Sequence, residues 1–136
     1  MSDDTIQTIQ PDGWKKPSGY ANGMLVPAGW RTLHVAGQIA WDAEQRLVSD
    51  SFGEQFAQAL RNVVEVVRTA GGGPEHVVRM VCYVTDKQAY LGELSAVGAA
   101  WRESMGRNYP AMALVEVADL LEEGAQVEIE ATAAFP

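Results

Sequence analysis

Cysteine is nearly absent from this chain. Cys82 is the only one in 136 residues, so no intrachain disulfide can form, which suits a reducing compartment. Long apolar runs are missing too, and none approaches the ~20 residues that span a bilayer. The opening Met1-Ser2-Asp3-Asp4 is acidic and has no apolar h-region, so no secretory signal is expected and the expected location is cytoplasmic. Basic residues are few, ten Lys and Arg against eighteen Asp and Glu, for a formal net charge of -8. Lys15-Lys16 is the only adjacent basic pair and no basic patch alternates with aromatics. Such a chain repels phosphate backbones on average, which makes nucleic acid a poor partner. The two histidines, His34 and His76, are far apart with no ligand spacing around either, so no metal site is expected. A Gly-x-Ser-x-Gly elbow is lacking, which leaves a serine hydrolase without support. Gly71-Gly72-Gly73 follows a helical pattern and is not followed by Lys-Ser or Lys-Thr, so it reads as a helix stop and not a phosphate cradle. Cys82 sits inside an apolar run and reads as a small buried hydrophobe, not a nucleophile.

What is present is an ordinary globular composition, 47% hydrophobic and 21% charged, long enough for one domain with its own core. Residues 1–18 are polar, with Pro11, Gly13 and Pro17, and read as a mobile lead-in; 19–136 read as the domain. Met24–Pro27 and Thr32–Ala36 are short β-prone runs around Ala28-Gly29-Trp30-Arg31, which predicts a hairpin. Asp42–Gln45 reads as a turn. Phe52, Phe56, Leu60, Val63, Val64 and Val67 recur every three or four residues and predict a helix over 52–70. Ser51 and Glu54 have the spacing of a capping box. Val77–Val84 is β-branched and predicts a strand buried on both faces. A second helix is expected over about 88–105, with Tyr90, Leu94, Val97, Trp101 and Met105 as its apolar stripe and Gly92 and Gly98 as weak points. Met112–Val117 and Gln126–Ala133 predict the last two strands. In the last, Glu128 and Glu130 share one face, opposite Val127, Ile129 and Ala131. That pattern fits a strand with one wet face, or a carboxylate that holds a water as general base. The sum is an α+β domain, a mixed sheet with two helices on one face.

Several segments, taken together and in order, resemble the Rid (YjgF) family. They are Gly19-Tyr20, His34-Val35-Ala36-Gly37-Gln38-Ile39, Asn62-Val63-Val64 with Ala70-Gly71, the run Val77–Asp86, Tyr109-Pro110-Ala111, Val115-Glu116-Val117 and Val127–Ala131. The resemblance spans about residues 19–134. It implies a chorismate-mutase-like fold that assembles as a homotrimer around a central barrel, with small-molecule clefts between subunits. It also implies hydrolysis of enamines and imines released by pyridoxal-phosphate enzymes, to a 2-oxo acid and ammonia, with no metal or organic cofactor. In that mechanism an arginine grips the substrate carboxylate while a glutamate and backbone groups hold the attacking water.

Position by position, Tyr20 matches the family's pocket tyrosine and Glu128 its water-holding glutamate; both are expected to be catalytic. Met112 stands where the arginine should follow Pro110-Ala111, Leu114 where cysteine is frequent, and Ala36 in place of serine. The family's helix asparagine falls at Leu94 or Ser95. Met112, Leu114, Ala36, Gly37 and Trp101 are the expected ligand-binding residues, and His34, on the strand face of Ala36, is a candidate proton carrier. Arg102 and Arg107 are candidate replacement cations, although an exposed surface arginine is the favoured reading of each. Without the arginine a small 2-imino acid should bind poorly, since a charge-assisted hydrogen bond contributes about 1.5–3 kcal/mol. A larger or less charged enamine or imine fits the more apolar pocket. The alternatives are a binding or scavenging protein that has lost turnover, because an apolar pocket can hold a ligand without chemistry, and a ribonuclease, against which the charge counts.

Overall fold

A computed structural model describes residues 4–136. Its centre is a four-stranded mixed sheet of β3 (Arg31–Gln38), β6 (Val127–Phe135), β4 (Val77–Val84) and β5 (Ala111–Glu116), in that spatial order. The pairs β3–β6 and β6–β4 are antiparallel and β4–β5 is parallel. The helices α1 (Phe52–Thr69), α2 (Lys87–Gly92) and α3 (Leu94–Met105) connect the strands. The α+β reading, with helices against one face of a mixed sheet, holds.

The core lies between that face and the helices. Phe56, Leu60, Val63 and Val67 of α1 meet Met80, Cys82 and Val84 of β4 and Val127, Ile129, Ala131 and Ala133 of β6. Each large side chain fully buried in this way contributes about 1.5–3 kcal/mol relative to exposure. The alternation of β6 is as expected, with Val127, Ile129 and Ala131 buried and Glu128 and Glu130 half-buried on the other face. On β4, Val81 is buried on that second face but Arg79 is exposed, so the strand is not dry on both sides within one chain.

Four expectations are corrected. The predicted hairpin does not form: β2 (Gly23–Leu25) pairs with β1 (Gln7–Ile9), and β3 pairs with β6 instead. A two-stranded ribbon therefore lies outside the main sheet, and the lead-in carries one of its strands. Sequence proximity favours a hairpin, but β3 finds in β6 a nine-residue partner with one apolar face, whereas β2 offers three residues. The second helical segment is two helices, because Glu93, after Gly92, leaves helical geometry at φ -126° and ψ 32°. Leu94, expected on the buried stripe, is half exposed, while Val97, Ala100, Trp101 and Met105 are buried. Ser51 occupies the N-cap of α1 but its side chain makes no capping hydrogen bond; its amide donates to Ser49 Oγ instead.

Candidate functional site

Strand parity sorts the candidate residues. On β5, Met112 and Leu114 pair in register with Met80 and Cys82 and share the helix-side face. On β6, Glu128 pairs with Tyr83 and Glu130 with Val81, on the open face. On β3, His34 pairs with Thr132, placing His34 and Ala36 on that open face as well.

A cavity of about 640 Å³ opens between β5 and α3. Tyr20, Trp101, Met112 and Leu114 line it together, as do Tyr90, Tyr109, Gly98 and Arg102. The Tyr109 ring stacks on Trp101, 5.9 Å between centroids with the planes 3° apart, and the indole nitrogen donates to the Asn108 carbonyl at 3.2 Å. Tyr20 is placed by its neighbours. Gly19 turns the chain with φ +81°, and the Ala21 amide donates to the Pro110 carbonyl at 3.0 Å, bridging Ala21 to Ala111 at the start of β5. Burial pushes the Cys82 thiol up to about 12, which suits the apolar, unreactive role expected of it.

Glu128 lies elsewhere, against Gly37. A Cβ built on Gly37 would come within 2.8 Å of the Glu128 carboxyl carbon, so glycine is what admits the carboxylate to the edge of β3, where the β3–β6 register shifts between Val35 and Gln38. Beside it, the Tyr83 hydroxyl donates to Glu130. That hydrogen bond, with some desolvation, raises the Tyr83 pKa above its usual value and keeps the phenol protonated. His34 is exposed on the same face.

The expected residues therefore form two groups. Tyr20, Trp101, Met112 and Leu114 share the cavity; Glu128, Gly37, Ala36 and His34 belong to the open face, and the sheet separates the two. Of the two candidate cations, Arg102 lines the same cavity, whereas Arg107 lines a neighbouring one of about 890 Å³ with Trp14 and Lys16. Tyr109 belongs to the Tyr109-Pro110-Ala111 segment of the resemblance but was not among the expected site residues. Gly98, expected only as a weak point of the helix, opens space beside the cavity. Among the described residues, no group of three or more His, Cys, Asp or Glu could hold a metal ion, and no helix is long and apolar enough to cross a membrane.

The family model described as endoribonuclease L-PSP matches residues 19–135. Among curated proteins, the chain is 32% identical over 129 residues to a human 2-iminobutanoate/2-iminopropanoate deaminase, covering 94% of this chain and 87% of the relative. A goat protein of the same name is 33% identical over 115 residues, covering 84% and 78%. Among solved structures, YyfB of the conserved Rid protein family from Yersinia pestis superposes with a TM-score of 0.84 at 33% identity, covering 96% of this chain and 99% of that one. RidA from an Antarctic Psychrobacter gives a TM-score of 0.66 at 29% identity, covering 95% and 99%. The chain belongs to the Rid (YjgF) family.

Proposed function

We propose that this chain hydrolyses an enamine or imine larger or less charged than a 2-imino acid, in a homotrimer whose clefts join the open face of one copy to the helix-side cavity of the next. The observation that carries this reading is the cavity itself. It keeps Tyr20 at its rim and is walled by Trp101, Tyr109, Met112 and Leu114, so it has room and affinity for an apolar body where the family's arginine is replaced by Met112. The named activity of the curated relatives supports the reaction class. Glu128 holds and deprotonates the water. Its oxygen attacks the imine carbon, the C=N pair moves to nitrogen and takes up a proton, and collapse of the carbinolamine breaks the C–N bond. A 2-oxo compound and ammonia leave, with no metal or organic cofactor in the proposed reaction. Tyr20 orients the substrate, and His34 on the open face is a candidate to carry the released proton. A cytoplasmic location accords with the release of reactive imines by pyridoxal-phosphate enzymes.

The test couples the purified protein to an amino-acid oxidase that generates small and aromatic imines, and follows ammonia release. Acceleration with aromatic or branched imines, abolished in Glu128→Gln, is the expected result. No acceleration across the imine series sinks the hydrolase and leaves the alternative, a binding or scavenging protein, which the apolar Met112 and Leu114 favour. A ribonuclease is disfavoured by the net charge of -8.

A further inference from the structure

Arg102 has no ion pair or side-chain hydrogen bond among the described residues. It lies one turn beyond Gly98 on α3, and long helical side chains lean back over the preceding turn. Its Nη1 comes to 3.3 Å from where a Gly98 Cβ would stand, so the guanidinium lies across the bare backbone of Gly98. Both residues line the cavity whose walls are Trp101, Tyr109, Met112 and Leu114. An unpartnered cation thus sits beside an aromatic cavity, and the glycine leaves it room. The combination has a definite chemical complement: a flat or branched apolar body for the cavity, bearing one carboxylate for the guanidinium, which can bind it bidentately.

We infer that Arg102 supplies the carboxylate grip that Met112 cannot, from α3 instead of β5, and that the cavity takes monocarboxylates with an aromatic or bulky apolar tail. This rests on the cavity being the ligand site proposed above, and it narrows that reading from larger or less charged compounds to larger ones that keep their carboxylate. Because the anion anchor has moved to the rim, the tail lies in the cavity and ligand size becomes the basis of selection. Small 2-oxo or 2-imino acids would place a carboxylate at Arg102 and leave the apolar walls empty.

The experiment measures binding by tryptophan fluorescence and calorimetry, using 3-phenylpropanoate, propanoate and the neutral 3-phenylpropanamide, with no turnover required. The acid should bind about tenfold more tightly than its amide, the scale of a partly exposed charge-assisted hydrogen bond, and propanoate more weakly still. Arg102→Gln should remove that tenfold difference between acid and amide while leaving amide binding unchanged. Arg102→Lys should restore part of it. Equal acid affinity in wild type and Arg102→Gln overturns the inference, as does propanoate binding as tightly as 3-phenylpropanoate. The two proposals fail separately. Arg102-dependent acid binding without hydrolysis of any imine ends the enzymatic reading alone. Hydrolysis of aromatic imines with an unchanged KM in Arg102→Gln ends this one alone.

Discussion

At the scale of single residues, the site depends on side chains that are missing as much as on those present. Gly37 is exposed and its φ lies outside the left-handed region, so backbone conformation alone does not require glycine there. What requires it is Glu128, whose carboxyl carbon and Cγ lie within 2.9 Å of the Cβ that alanine would add. Gly37→Ala should therefore push the carboxylate off its position with little effect on folding. Turnover should fall by roughly ten- to a hundredfold, the scale of an ångström-sized displacement of a catalytic group. Stability by thermal denaturation should stay within about 1 kcal/mol of wild type, since replacing glycine also restricts the unfolded chain. An unchanged kcat would show that Glu128 does not hold the water from this position. The pairing of Gly37 with Glu128 was not legible in the sequence. The two are far apart along the chain, and the register shift between Val35 and Gln38 changes which β3 residue faces the carboxylate. The alternation that puts Glu128 on the polar face was legible, because it is a local, period-two property of one strand.

At the scale of elements, the apolar stripe located α1 correctly and also contained an exception whose meaning only the fold supplies. Gln55 lies three residues after Phe52 on the buried stripe, and no part of it is exposed. Its side-chain amide donates to the carbonyls of Ser49 and Gly124, both at 2.9 Å, and its Oε1 accepts from the Gln126 amide at 2.9 Å. One side chain thus ties the start of α1 to the loop before it and to the entry of β6, the strand that carries Glu128. Gln55→Leu preserves helix propensity and approximate volume but leaves two carbonyls and an amide without their partner. It should destabilise the fold by about 2–4 kcal/mol in urea denaturation; a cost below about 1 kcal/mol would mean that water replaces the amide. A glutamine on an apolar stripe is a readable signal that something polar is buried with it. Its partners were not readable, because they are backbone groups of loops whose positions follow from tertiary packing. The failure of the predicted hairpin has the same origin. The runs that become β2 and β3 are neighbours in sequence, and only the long apolar face of β6 decides that β3 pairs elsewhere.

At the scale of the whole molecule, the two halves of the proposed site cannot serve one small substrate within a single chain. β6 and β5 are separated by β4, which places Glu128 and Leu114 about 10 Å apart across the sheet before their opposite facing is counted. An imine carbon and its attacking water must lie within about 3.5 Å. In the proposed reaction Glu128 therefore acts on a substrate held in the cavity of a neighbouring copy, as the proposed trimer allows. Two inactive variants should then rescue each other. Glu128→Gln removes the base, and Gly98→Trp fills the cavity from α3 without a backbone clash, since the only atom near the added Cβ is the guanidinium nitrogen of Arg102. In a ring where each site takes one part from each of two neighbours, equal random mixing leaves about one quarter of the sites with both parts intact. Co-expression of the two variants should thus recover about a quarter of wild-type imine turnover, while each alone recovers none. Mixed assemblies seen by native mass spectrometry but devoid of activity would mean that the cavity and Glu128 do not form one site, and would overturn the proposed shared active site.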